Sequence, residues 1–153
     1  MRVLAIDPGT NISAVLIWDC IENKPHEKLI LENNEIPAIL KDYPFKPKTT
    51  LAVEMVASYG MPVGREVFET CVWIGRFVEA WQGKHSFVYR QEVKLHFCGS
   101  NRAKDPNIRQ ALIDRFGGVG TKKDPGMLYG VASHLWSALA VAVYYADQQE
   151  KRS

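Results

Sequence analysis

The feature that most restricts the fold is a short apolar run near the start of the chain that ends in an acid and a turn. Residues 3–6 are all apolar, and Asp7 and the turn-forming pair Pro8-Gly9 follow directly. A run this short, bounded by turn residues, predicts a buried β-strand rather than a helix. Residues 50–54 repeat the pattern, because a second buried strand predicted there ends in Glu54. The chain is therefore expected to build a sheet in which two strands end in a carboxylate.

Turn signals and periodicity predict the remaining elements. Residues 13–18 and 29–32 predict two further strands joined by a polar hairpin loop at residues 19–28, and connections this short imply antiparallel pairing. We expect a fifth strand at residues 87–89 and helices at residues 35–41, 64–81, 91–97, 106–116 and 133–147. The order of these elements predicts an α/β fold in which antiparallel strands come first and helices then alternate with strands.

Two of the predicted helices carry further expectations. The helix at residues 64–81 has a second apolar stripe formed by Phe68, Val72 and Phe77, so it is expected to be buried on two sides. The last helix is very apolar, and Ser133 is its candidate N-cap.

Length and composition exclude several classes of protein. A chain of 153 residues, 46% hydrophobic and 24% charged, fits one ordinary domain spanning residues 1–153. Three widely spaced cysteines form neither a disulfide framework nor a zinc knuckle. Asp7 and Pro8 interrupt the N-terminus before a signal peptide could develop, and no apolar run is long enough to span a membrane. We therefore expect a cytoplasmic protein that does not interact with membranes.

Positive charge is concentrated in one third of the chain. Residues 84–123 contain nine lysines and arginines against three acids, although the net charge of the whole chain is only +2. Such a basic region indicates a surface that faces a polyanion such as nucleic acid, and a solvated charged face is the alternative.

The two strand-end acids are candidate metal ligands. If Asp7 and Glu54 end adjacent central strands, they lie side by side and repel each other unless a cation sits between them. Carboxylate oxygens suit Mg²⁺ or Mn²⁺, which assist phosphoryl chemistry; capping of nearby backbone groups is the alternative. His134 opens the last helix and is either a structural helix-start histidine or a ligand, with Ser137 one turn later.

Four ordered segments resemble one family. AIDPGT at residues 5–10, Glu54, VKLHFCGSNRAKD at residues 93–105 and SHLWSALAV at residues 133–141 together resemble the RuvC family of Holliday-junction resolvases. The resemblance implies a ribonuclease-H-like fold: a mixed five-stranded sheet, with strands 1–3 antiparallel and strands 1, 4 and 5 parallel, flanked by helices. Residues 59–77 depart from the bacterial members, which suggests a phage or prophage branch and a bacterial host or phage as the source.

The resemblance also implies an activity. Members are metal-dependent endonucleases that cut Holliday junctions, and we expect action on these or other branched DNA, such as forks or flaps, by a symmetric homodimer. Asp7, Glu54 and His134 would hold Mg²⁺, with Mn²⁺ able to substitute. Ser137 would complete the catalytic set at a position where the family keeps an aspartate, so another acid, such as Asp124, is an alternative.

The expected DNA contacts come from the same comparison and from the basic region. Tyr59, in the loop after Glu54, is expected to wedge between bases at the crossover, with Phe68 as the alternative. The helix at residues 64–81 would supply the dimer surface. The residues expected to bind DNA are Tyr59, Lys94, Arg102, Lys104, Lys122 and Lys123.

Two other functions remain open at this stage. Because Ser137 carries no charge, the chain could recognise junctions without cutting them. The segment DPGTNIS also resembles the phosphate-binding turn of actin-like ATPases and sugar kinases, although those proteins close two such domains around a nucleotide.

Overall fold

The computed structural model of the protein describes residues 1–153, and its five strands form one mixed sheet. The strands are β1 (Arg2–Asp7), β2 (Ile12–Asp19), β3 (Lys24–Glu32), β4 (Thr49–Met55) and β5 (His85–Tyr89). They stand in the order β3-β2-β1-β4-β5. The pairs β1–β2 and β2–β3 are antiparallel, whereas β1–β4 and β4–β5 are parallel. The predicted fold class and sheet topology are therefore confirmed.

Five helices and two short 3₁₀ turns complete the chain. The helices are α1 (Ile36–Lys41), α2 (Arg65–Trp81), α3 (Arg90–Cys98), α4 (Asp105–Phe116) and α5 (Leu135–Arg152), and the 3₁₀ turns are Asn33–Glu35 and Lys46–Lys48. None of these helices combines the length and the apolar character needed to cross a lipid bilayer.

Different helices cover the two faces of the sheet. Side chains alternate along β1, so Val3 and Ala5 join a core built with α3, α4 and α5, whereas Leu4 and Ile6 join a core built with α1 and α2. A strand buried on both faces reads as a continuous apolar run, which is why residues 3–6 lack polar side chains. Asp7 is where this central strand ends and becomes partly exposed.

The third strand begins earlier than the sequence predicts. β3 starts at Lys24 and includes Pro25, so the predicted loop at residues 19–28 is mostly strand. Proline has no N–H to donate, but β3 is an edge strand, where one side needs no ladder hydrogen bonds. The register with β2 shifts between Ile17 and Trp18, and Trp18 is the partner of Pro25.

Two predictions about helices are wrong. Phe68 and Val72 on α2 are each 61% exposed, so within one chain α2 is buried on one side only, through residues such as Phe77. Ser133 is not the N-cap of α5, because its backbone adopts the left-handed conformation (φ 51°) and His134 takes the N-cap position. The turn into α5 falls at Ser133, and the helix begins two residues later than predicted.

Asp147, near the C-terminal end of α5, links this helix to α3 and α4. Asp147 accepts two hydrogen bonds from Arg115 of α4 (2.6 and 2.9 Å), and its Oδ2 lies 2.7 Å from Nε2 of His96 on α3. Burial acts to raise the pKa of Asp147, but the hydrogen bonds and charges of Arg115 and His96 outweigh it and hold the pKa below its usual value. The ionised carboxylate therefore favours the folded state.

We expect Asp147→Asn to lower the free energy of unfolding by about 1–3 kcal/mol at pH 7, because Arg115 loses a charged acceptor. A group with a depressed pKa stabilises the fold above its ordinary pKa, and the effect disappears as pH falls through the folded-state value. Urea denaturation of both proteins between pH 3 and 7 measures this. Glu150→Gln removes a charge from the exposed side of the same helix and should change little; equal effects of the two substitutions would contradict the prediction.

Candidate active site

Parallel strands bring Asp7 and Glu54 to the same edge of the sheet. Ile6 of β1 pairs with Val53 of β4, so the next residue of each strand is an acid. The side chains of Asp7 and Glu54 are only 15% and 14% exposed, and they lie near enough for each carboxyl group to change the pKa of the other. The structure thus places the two predicted metal ligands in direct contact.

Burial and like charge change the proton affinity of this pair. Burial raises the pKa of Glu54 to about 8, and the adjacent charge of Asp7 and their shared hydrogen bond act in the same direction. Burial also raises the pKa of Asp7, although the hydrogen bond from Glu54 and the charge of Arg90 oppose this rise. The raised pKa of Glu54 favours its protonated form at neutral pH.

His134 meets this pair from the start of α5. Its Nδ1 lies 3.3 Å from Asp7 Oδ2, and its backbone carbonyl accepts hydrogen bonds from the N–H groups of Ser137 and Ala138. Ser137 follows one turn later and lines a cavity of about 210 Å³ together with His134. The left-handed conformation of Ser133 sets the direction in which the chain enters α5. The structure therefore brings His134 and Ser137 to the same edge as Asp7.

Sequence reasoning missed two charged residues at the site. Arg90 begins α3 directly after β5, its Nη1 lies 3.5 Å from Glu54 Oε1, and its Nη2 contacts Asp105 Oδ1 at the start of α4. Arg90 can be found by the pattern that identifies the two acids, because it is a charged residue that directly follows the end of a strand. Asp105 lies within the resemblance segment, but only the fold shows that α4 begins beside Glu54.

Two buried polar side chains hold the loop after Asp7. Ser13 Oγ accepts a hydrogen bond from the Gly9 N–H (3.1 Å) and donates one to Asn33 Oδ1 (2.6 Å), while Asn33 Nδ2 donates to the Gly9 carbonyl (2.8 Å). Gly9 has no room for a side chain, because a Cβ there would collide with the Ile12 carbonyl oxygen. The sequence offered no local signal for Asn33, which lies 24 residues from Gly9.

Tyr59 lies close to the two acids, as the sequence predicts. It is about half exposed, and it shares a cavity of about 250 Å³ with Asp7, Glu54 and Arg90. Its φ of 49° is left-handed, which is uncommon for a bulky residue and is often found at functional sites. Phe68, the alternative, lies on α2 with an exposed side chain and does not line this cavity.

Two of the predicted DNA-binding lysines lie beside the newly found residues. Lys104 directly precedes Asp105, and Lys94 follows Arg90 by one turn on α3, so Arg90 and Lys94 share a helix face. Arg102 is exposed in the loop between α3 and α4. These three cations lie on α3, at the start of α4 and in the loop between these helices.

The other two predicted lysines are on a separate loop. Lys122 and Lys123 form the tip of a tight turn that Thr121 and Asp124 close with two hydrogen bonds, of 3.0 and 3.1 Å. Asp124 lines none of the cavities around Asp7, Glu54 and His134. The structure therefore does not bring Asp124 to the position that Ser137 leaves without a charge.

The donor atoms at this edge are of the kinds that bind divalent cations. No three histidine, cysteine, aspartate or glutamate side chains converge closely enough to hold a metal ion. A divalent cation would nevertheless relieve the repulsion between the two buried carboxylates. His134 Nδ1, 3.3 Å from Asp7 Oδ2, could contribute a third ligand. An oxygen-rich set with one imidazole suits Mg²⁺ or Mn²⁺.

Solved structures with the same architecture exist. A structure of Thermus thermophilus RuvC matches with a TM-score of 0.72 and 18% identity over 97% of both chains. T. thermophilus RuvC in complex with a Holliday junction substrate matches with a TM-score of 0.73 and 16% identity over 99% of this chain and 96% of that one. The chain has the RuvC fold.

Other comparisons found no relative. No protein-family model and no curated protein matches the sequence. The identities to RuvC are low, so the likeness establishes the fold alone, and the sequence resemblance is confirmed at that level. Assignment to a phage branch stays a prediction.

We expect Glu54→Gln to stabilise the fold in metal-free buffer at pH 8. The folded-state pKa of about 8 lies above the ordinary value, so between the two values the folded state holds a proton that the unfolded state has lost, and stability falls as pH rises. Glutamine keeps the shape without this cost. Thermal unfolding in EDTA should show a gain of several degrees at pH 8 and little at pH 5, since 1 kcal/mol corresponds to roughly 2–4 °C.

The matched control is Asp124→Asn, which removes a carboxylate outside the site and should show no such pH dependence. Mg²⁺ added at pH 8 should raise the Tm of the unaltered protein and leave that of Glu54→Gln unchanged. A Glu54→Gln protein that is less stable than the unaltered protein at pH 8 would contradict the prediction.

Proposed function

We propose that this protein is a Mg²⁺-dependent endonuclease that hydrolyses phosphodiester bonds in branched DNA and acts as a symmetric homodimer. The observation that carries the proposal is the buried pair of Asp7 and Glu54, with His134 3.3 Å from Asp7, on a RuvC fold. The RuvC of Thermus thermophilus with this fold is known in complex with a Holliday junction substrate. Four-way junctions are therefore the first substrate to test, with forks and flaps beside them.

The residues at the edge have distinct tasks in such a reaction. Asp7, Glu54 and His134 would hold the ion, which when bound stabilises charge on the phosphate and activates water; Mn²⁺ would substitute. Burial of the carboxylates excludes bulk water and strengthens their electrostatic attraction for a cation. The hydrogen bonds of Ser13 and Asn33 to Gly9 keep the Asp7 loop in one conformation. Ser137 would contact the reacting groups through a hydroxyl or a water.

The basic region supplies phosphate contacts around this edge. Lys94, Arg102 and Lys104 lie on the side of Arg90 and Asp105, and Lys122 and Lys123 extend from the neighbouring turn. Lysine and arginine contacts to phosphate give affinity without sequence preference, which suits recognition of a branched structure.

A second copy of the chain would cover α2. Phe68 and Val72 lie one turn apart on its outer face and are each 61% exposed, so they form an apolar stripe without a partner in the chain. Symmetric cleavage of a four-way junction requires two sites related by a two-fold axis. We further propose that residues 1–153 act as one domain in the cytoplasm.

One observation favours a second candidate function. Ser137 replaces a carboxylate, and Arg90 already places a positive charge 3.5 Å from Glu54, so the cation could bind too weakly for cleavage. The protein would then recognise junctions without cutting them. A nucleotide-binding role is disfavoured, because the Gly9 N–H that a phosphate would need is bonded to Ser13.

Asp7→Asn is expected to abolish cleavage of a synthetic four-way junction in Mg²⁺ while binding stays equal or becomes tighter. The substitution removes a ligand and also a negative charge that repels phosphate. Cleavage is measured on labelled junctions, forks and flaps with Mg²⁺, Mn²⁺ or EDTA, and binding by gel shift in EDTA.

The control is Asp124→Asn, which removes one carboxylate outside the site and should cleave normally. Cleavage by Asp7→Asn at near-normal rates would overturn the site assignment. Metal-independent binding without cleavage by the unaltered protein would favour the second candidate function.

Tyr59→Ala should slow cleavage of intact four-way junctions by about 10–100-fold and slow cleavage of pre-opened flaps much less. A ring that stacks on a base returns about 1–3 kcal/mol, and only the intact junction needs its bases unstacked. Phe45→Ala removes an exposed ring before the start of β4, away from the acids, and serves as the control. Equal losses on both substrates would show that Tyr59 only packs against the site.

A further inference from the structure

Arg90 is the one arginine whose side chain is largely buried beside the acids. It is 20% exposed, and its Nη2 contacts Asp105. Its Nη1 is buried and makes no hydrogen bond, although it forms an ion pair with Glu54 Oε1 at 3.5 Å. A buried charged donor without an acceptor is costly, so its presence calls for an explanation.

The position of Arg90 between two cavities explains why a buried arginine is kept there. Its side chain lines both the cavity that contains Asp7, Glu54 and Tyr59 and the cavity that contains His134 and Ser137. It therefore lies where the two halves of the site meet. A ligand that contacts both the two acids and the start of α5 would therefore also lie next to the Arg90 guanidinium.

We propose that Arg90 binds a non-bridging oxygen of the scissile phosphate and stabilises the negative charge that develops on it. This inference rests on the proposed nuclease function. The guanidinium, which lines both cavities, donates to the phosphate, with Nη1 as the donor that lacks a hydrogen-bond partner, while Asp105 holds Nη2 and fixes the plane of the guanidinium. Arginine suits this task because it stays charged and presents several donors in one plane, which matches the geometry of phosphate oxygens.

The same geometry predicts competition between Asp105 and DNA. The carboxylate of Asp105 and the phosphate both attract the guanidinium, and Asp105 is itself exposed at the start of α4. Removing the charge of Asp105 should therefore leave Arg90 freer to bind phosphate. A structural counterion role for Arg90 predicts no such link, because DNA would not touch it.

The experiment measures junction binding in EDTA across salt concentrations, so that it does not depend on cleavage. Arg90→Gln should reduce the slope of log affinity against log salt by about one, and Arg90→Lys should retain the slope. Asp105→Asn should tighten binding, and that gain should be lost in the Arg90→Gln/Asp105→Asn double variant. Lys151→Gln removes an exposed charge at the far end of α5 and should keep the slope.

Cleavage supplies the second measurement. Arg90→Gln should lower kcat by about 10²–10³-fold with a smaller change in KM, as expected for a donor that acts on developing charge. Replacing one non-bridging oxygen of the scissile phosphate by sulfur should slow the unaltered protein, and the same replacement should have less effect in Arg90→Gln. Thermal unfolding shows whether each variant is folded. If Arg90→Gln is not, Arg90→Lys carries the cleavage and sulfur comparison, because lysine keeps the charge but loses the planar donors and should still lower kcat.

Two outcomes overturn the inference in different ways. If the unaltered protein binds and cuts junctions but Arg90→Gln keeps the full salt slope and the full sulfur effect, Arg90 is a structural counterion and the proposed nuclease function survives. If the unaltered protein binds no DNA, the proposed function fails and this inference fails with it.

Discussion

The parallel pairing of β1 with β4 places two carboxylates in contact, and the rest of the site depends on this contact. Each strand is buried along its length, so neither Asp7 nor Glu54 can move away without breaking the sheet. Burial and mutual repulsion keep a proton on the pair at neutral pH. A cation is the natural replacement for that proton, because it would relieve both costs at once. The fold therefore holds two carboxylates at a distance where their repulsion favours binding of a divalent ion.

Three helices begin around this pair. Arg90 is the first residue of α3, Asp105 is the first residue of α4, and His134 is the N-cap of α5. Helix N-termini carry partial positive charge, which favours the carboxylates already present and a phosphate brought beside them. At the far end of the same helices, Asp147 binds Arg115 and His96. The three helices are thus held together at one end by Asp147, which limits how far their first residues can shift relative to the strand ends.

The sequence predicts the parts of this site that depend on local pattern. An apolar run followed by an acid is visible in the chain, and it was enough to find Asp7 and Glu54. The same logic applied to β5 would have found Arg90, whose neighbour Tyr89 ends that strand. Asn33 and Asp105 were out of reach, because their partners lie 24 and 15 residues away and only the tertiary fold brings them together.

Errors in the fold prediction have similar causes. Pro25 reads as a loop residue, and it is tolerated in β3 only because that strand is at the edge of the sheet, which the local sequence does not reveal. Ser133 reads as an N-cap, but the backbone turns at that residue. Phe68 and Val72 were predicted to be buried because helical periodicity identifies an apolar face, but it does not show whether the same chain covers that face.

The substitution at Ser137 is best understood together with Arg90. Asp7, Glu54 and Asp105 supply three negative charges when ionised, and Arg90 supplies one positive charge within their midst, so the group carries a formal charge of −2. One divalent cation neutralises it. A carboxylate at position 137 would add a further negative charge and a demand for more positive charge, whereas a serine adds none. Under the proposed function, Arg90 and Ser137 therefore act in the same direction, because both reduce the positive charge that bound metal ions would have to supply.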